Sequence, residues 1–157
     1  MILTLLVACF LLGWVAGLRS MAAPAVVCWA AHLGWLHFDR TKLAFIPQAA
    51  TLVIFTLLAF VELTLDKLPK TPARTEPLGL IARIVFGCLC GIALATSVGG
   101  SLLVAAIAST VGALVGTFVG YNIRHTLVLR SHLPDFGVAL AEDVVAVAGG
   151  FLIVSHL

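Results

Sequence analysis

Residues 78–121 read LGLIARIVFGCLCGIALATSVGGSLLVAAIASTVGALVGTFVGY, with Arg83 as the single charge. Two apolar runs, Leu78–Val98 and Ser101–Tyr121, are separated by Gly99 and Gly100 alone. A helix needs about 20 apolar residues to cross ~30 Å of hydrocarbon, and each run meets that length. Both are continuously apolar, whereas barrel strands alternate over about ten residues. The stretch therefore predicts a pair of membrane-spanning helices joined by a glycine turn.

The rest of the chain extends the pattern. Ile2–Leu18, Met21–Leu36, Ala44–Leu65 and Gly137–Leu157 are also apolar, which makes six runs. The second is the shortest and carries Pro24, so it reads as a short tilted span or a re-entrant segment. A re-entrant segment is tolerated only where protein covers its backbone. Of 157 residues, 62% are hydrophobic and 10% charged, against roughly a quarter charged in soluble domains. Mean hydropathy is +1.18. So few charges cannot cover a water-exposed surface, which excludes a cytosolic enzyme, a disordered chain and a nucleic-acid binder. The fold class expected is all-α, a polytopic membrane bundle of about six transmembrane helices in a single integral membrane domain, residues 1–157. The first run lacks the basic residues that open a signal peptide and reads as a retained helix.

If all six runs cross, Arg19, Lys67, Lys70, Arg74, Arg83, Arg124 and Arg130 fall on one side, and Arg40 and Lys42 on the other. Cytoplasmic loops carry the excess of Lys and Arg. The bias places the first group in the cytoplasm and both termini outside, in a multi-pass protein. Three spans plus three spans also fit the arithmetic of a 3+3 inverted arrangement, although the two halves align poorly.

Cys9, Cys28, Cys88 and Cys90 lie within apolar runs without C-x-x-C spacing, so no disulfide framework is expected. His32 has no second histidine one turn away, so no metal site is expected either. Trp14, Trp29, Trp35 and Tyr121 read as interface anchors. Ala108, Gly112, Gly116 and Gly120 recur every four residues; Gly13 with Gly17 and Gly87 with Gly91 repeat the spacing. Small residues at this interval let helix backbones approach closely in lipid. They predict packing inside the chain or a homo-oligomer contact.

Ionisable residues within apolar spans are costly and mark candidate sites. Glu62, Arg83, Glu142 and Asp143 lie inside the runs, and Arg19 closes the first. All fall in the third of the span that the charge bias makes cytoplasmic, together with Asp66, Lys67 and Arg124. Four positive and four negative charges at one depth read as paired charges fixing helix register, or as an ion-binding site. Adjacent residues differ by about 100° around a helix, so Glu142 and Asp143 cannot face one partner equally. One is expected to pair with an arginine, Arg19 or Arg83, and the other to face a cavity. Asp135, after Pro134, is expected to cap the last helix. The segment Gly17-Leu-Arg-Ser-Met-Ala-Ala-Pro24 reads as a tight turn or a broken helix; such breaks leave backbone groups free for polar ligands.

Three segments, GLRSMAAP at Gly17–Pro24, VELTLDKLPKTPARTEP at Val61–Pro77 and ALAEDVVAV at Ala139–Val147, together resemble the DUF4126 family of bacterial membrane proteins. The positions that carry the resemblance are Gly17, Arg19, Glu62, Asp66, Lys67, Pro69, Glu142 and Asp143. The loop after Pro69 reads KTPART, a departure from the glycine and acidic residue of many members. The resemblance implies the fold class and brings no activity with it.

The function expected is a small transporter or channel-like protein for an ion or small polar solute. Arg19, Glu62, Asp66, Arg83, Glu142 and Asp143 would form its cytoplasm-facing site. Thr56, Ser97, Ser109, Thr110 and His32 would continue the path outward. The alternative is a structural or assembly protein whose charge network only holds its helices together. No nucleophile–base pair can be assembled, so no enzyme and no cofactor are expected. The expected partners are the lipid bilayer, a further copy of the chain and the solute, with no nucleic acid.

Overall fold

The computed structural model describes residues 2–39, 41–65, 76–130 and 134–157. Among them are six helices and no strand: α1 (Ile2–Leu18), α2 (Ala22–His32), α3 (Ala49–Leu65), α4 (Pro77–Val98), α5 (Leu102–Arg130) and α6 (Asp135–Ser155). Three, namely α4, α5 as far as Leu129, and α6, are long and apolar enough to cross a membrane. The other three are shorter apolar helices. The expectations for Arg40, Asp66, Lys67, Pro69, Lys70 and Arg74 lie outside the described residues.

The chain folds around α1. Its residues Cys9, Leu12 and Ala16 are fully buried, and it packs against α2, α4, α5 and α6. The closest approach is to α5, and glycine causes it. A Cβ on Gly13 would overlap the Ser109 carbonyl, and one on Gly17 would overlap the Ala113 carbonyl. In return, a Cβ on Gly112 or Gly116 would overlap the carbonyl of Phe10 or Trp14. On α4, Gly91 lies against Ser109 and Gly87 against Ala113. The three glycine rows therefore face one another within a single chain. Of the two expectations, packing inside the chain is the one that Gly13, Gly17, Gly87, Gly91, Gly112 and Gly116 meet.

These contacts set direction. Residue numbers rise together along α1 and α5, and run oppositely on α4. The Cys9 thiol reaches the Gly91 carbonyl at 3.8 Å, while Arg83 reaches Gly17. The hairpin between α4 and α5 turns at Gly99, whose φ of 70° needs no Cβ, and Gly100 N–H returns to the Ala95 carbonyl at 2.7 Å.

Three boundaries and the expected symmetry differ from the sequence reading. The second run forms an 11-residue helix, after which residues 33–39 and 41–48 are turns and bends without a helix; Gly34 has φ 78°. At 1.5 Å per residue α2 is roughly 16 Å long. Almost all of it is buried between α1, α3, α4 and α6. The chain beyond it reaches the far end of α4, where His37 N–H donates to Ser97 Oγ at 2.9 Å. The third run starts its helix only at Ala49, after Pro47, which cannot donate to a helix. The expected connection Asn122–Phe136 is mostly helix, because α5 continues to Arg130. Asn122, Arg124 and His125 make that turn polar, but polarity does not end a helix, and no Gly or Pro appears before Pro134. Finally, α2 with 11 residues and α5 with 29 are unequal, and the charges from both halves collect at one end. Neither feature fits two repeats of opposite orientation.

The outer surface is apolar. In the three long helices only 28–39% of the most apolar window is buried. Ile54, Leu57, Phe60, Leu103, Ile107, Val144 and Leu152 all stand exposed. Exposed patches of this extent mark a surface that meets something other than water.

Candidate functional site at the break between α1 and α2

Residues 19–21 interrupt the helical chain, so α1 ends with free carbonyls and α2 begins with free N–H groups. Both ends are met by side chains from other helices. Arg83 of α4 donates from Nε to the Gly17 carbonyl at 3.1 Å and from Nη1 to its own helix at Gly79, also 3.1 Å. Thr117 Oγ1 of α5 lies 3.2 Å from the Gly17 carbonyl and 2.8 Å from Ala113 O. A cation at a helix C-terminus also meets the negative end of its dipole.

Glu62, near the end of α3, serves the other side. Its Oε1 accepts from Ser20 N–H at 2.8 Å and Ser20 Oγ at 2.6 Å, and its Oε2 accepts from Met21 N–H at 2.8 Å. Met21 itself has no side-chain cap on α2, so a carboxylate 41 residues away stands in for one. The position is electrostatically apt, since helix N-termini bind anions.

Arg19 sits in the break and is fully buried. Its Nη2 lies 2.7 Å from Asp143 Oδ1 and 3.8 Å from Glu142 Oε2. The two neighbouring carboxylates of α6 thus divide. Asp143 turns inward onto Arg19, and Glu142 lines a groove of about 580 Å³ between the ends of α1, α5 and α6. Trp14, Leu18, Ile123, Leu127, Val138 and Val145 form much of its wall, Arg124 and Glu142 supplying the charges. The groove exists because α5 and α6 barely touch. Gly120 lines it, whereas Gly112 and Gly116 lie against α1.

The structure therefore brings Arg19, Glu62, Arg83, Glu142 and Asp143 to one junction; Asp66 lies outside the described residues. Thr117 joins them and was missed, its signal lost in a glycine-rich helix where a lone threonine reads as packing. Asp135 is not the cap expected. Pro134 holds the cap position, and Asp135 binds Arg124 bidentately, Nε–Oδ1 and Nη2–Oδ2 both 2.8 Å. Four of the expected path residues make hydrogen bonds within the chain. Thr56 and Ser109 donate to carbonyls in their own helices, Ser97 accepts from His37, and His32 lies against Pro47 O. Helical hydroxyls commonly bond back to the preceding turn. Trp14 packs on Gly116, and Trp29 Nε1 donates to Thr56 at 3.1 Å, so both brace helices. The four cysteines are free, and no cluster able to hold a metal occurs among the described residues.

The family model for DUF4126, a domain of unknown function, matches residues 6–156. The chain belongs to the DUF4126 family. No curated protein and no solved structure matches it. Gly17, Arg19, Glu62, Glu142 and Asp143, which carried the resemblance in sequence, are contributed by α1, the break after it, α3 and α6, and they gather at this junction.

Proposed function

We propose that this DUF4126 protein is a six-pass protein of a bacterial inner membrane, both termini outside, that moves a cation or small polar solute. The exposed apolar surface and the three long apolar helices support the membrane reading. The reach of the α2 segment to Ser97 supports a crossing, and α2's burial supplies the cover that its short helix and irregular continuation require. The solute site is the groove, and one observation carries it: Glu142, which stands 3.8 Å from Arg19 where Asp143 stands at 2.7 Å, lines the cavity. A carboxylate held among apolar side chains is suited to exchange a cation or proton with the cytoplasmic side. The protein acts without catalysing a reaction.

The remaining charges favour the second reading for themselves. Glu62 and Arg83 each cap a helix end, so they hold the bundle together and do not bind solute. The test is flux in proteoliposomes loaded with monovalent cations or protonated amines. Flux in the wild type that Glu142→Gln abolishes supports the transporter. Absence of flux for every cation and amine leaves a structural protein.

A further inference from the structure

We infer that the groove between α5 and α6 holds one acyl chain of a membrane phospholipid, which closes the bundle where these two helices part; this stands whether or not the groove moves a solute. Three observations carry it. First, the groove opens sideways onto the apolar outer surface. Its floor is buried, with Leu18 of α1 8% exposed and the Glu142 side chain 11%, whereas Ile123 on the α5 rim is 53% exposed and Val145 on the α6 rim 61%. Such a mouth faces hydrocarbon in a bilayer, and its aliphatic and aromatic walls gain by being covered with an apolar body. Second, its length matches one leaflet. The α6 side of the groove begins at Pro134 and runs to Val145, an 11-residue step of about 16 Å along a helix. Half of a ~30 Å hydrocarbon core is about 15 Å. Third, the groove has a polar end. Beside Pro134, Arg124 pairs with both oxygens of Asp135, and these two residues, with Tyr121 and His125, line a second cavity of about 260 Å³. An apolar length that ends in a polar cup has the order of chain and headgroup in a phospholipid, and tyrosine is a residue of the membrane interface. Charges of both signs meet at that end, so the chain selects the lipid and the headgroup charge does not. The chain fills the mouth and leaves Glu142 on the floor beside Arg19.

Trp14 lines the groove and can report on its occupant. In a chain carrying Trp29→Phe and Trp35→Phe it is the remaining tryptophan. In nanodiscs of phosphatidylcholine brominated in its acyl chains, Trp14 fluorescence should be strongly quenched, because bromine quenches at contact range. Phosphatidylglycerol brominated in the same way should quench it equally. Ala141→Phe, which places a ring in the groove, should remove most of the quenching. Val138→Phe fills the groove from the neighbouring turn and takes its place if thermal melts show Ala141→Phe to be unfolded. Native mass spectrometry of the wild-type protein in detergent should show a retained phospholipid that the folded, groove-filled variant lacks. Trp14 left unquenched, quenching unchanged in the folded variant, or quenching by only one of the two lipids overturns the inference. So does a groove occupied by a second copy of the chain, seen as a lipid-free dimer that the added ring separates. Flux with Trp14 unquenched defeats this inference alone, and a retained lipid without flux of any solute defeats the transporter alone.

Discussion

Arg19 and Asp143, one in the break after α1 and the other eight residues into α6, meet at 2.7 Å with the arginine fully buried. This contact ties the centre of the bundle to its last helix, although α6 touches α5 very little. Glu142, the next residue, takes no equal share of the arginine. The pair gives adjacent carboxylates different work.

Asp143→Asn should therefore destabilise strongly, since removing one partner of a buried pair costs about 3–5 kcal/mol. Glu142→Gln should cost well under half of that. Replacing both Arg19 and Asp143 with apolar residues of similar size should recover most of the loss. Unfolding in mixed micelles measures all of these, and equal losses at 142 and 143 would contradict the division.

Gly116→Ala should weaken the fold or block assembly, because the new methyl meets the Trp14 backbone, which a packed core cannot move without strain. Gly149→Ala is the control. Nothing lies within 4 Å of its Cβ position, so it should be neutral or add up to about 1 kcal/mol through helix propensity. Thermal melts of the two variants in one detergent decide the matter.

Glu62→Ala leaves the Ser20 and Met21 amides without their acceptor, at about 1–3 kcal/mol for each buried donor left unmade. The start of α2 should fray, seen as faster amide exchange at residues 20–23 with α4 and α5 unchanged. Glu62→Gln keeps one acceptor oxygen and should fall between. Unchanged exchange in Glu62→Ala would show that the break needs no cap.

The proposed topology places the C-terminus outside. A phosphatase fused after Leu157 should be active, and a fluorescent protein that folds only in the cytoplasm should be dark there. The reverse outcome overturns the seven-to-two reading of the Lys and Arg distribution.

How much the sequence revealed differs from residue to residue. The edges of α1 were plain because an uninterrupted apolar run ends at Arg19, and the α4–α5 turn was plain because Gly99 and Gly100 stand alone. The end of α5 was not. Its last turns carry Asn122, Arg124 and His125, and the step from apolar to polar was read as the helix end. The backbone continues because nothing there breaks its hydrogen bonds. The start of α3 was misplaced for the opposite reason: apolar residues before Pro47 form turns.

The sequence by itself determined the helical class, the apolar runs, the family and the depth at which Arg19, Glu62, Arg83, Glu142 and Asp143 sit. Depth is legible because it follows from position along an apolar run. Direction around the helix is not, since helices apolar on every face carry no periodic pattern to say which side turns inward. Only the tertiary structure decided that Glu62 caps α2, that Arg83 meets Gly17, and that Asp143 takes Arg19. The contacts between α1, α4 and α5 decide it: their glycines permit a close approach in one rotation of each helix, and that rotation aims every charge.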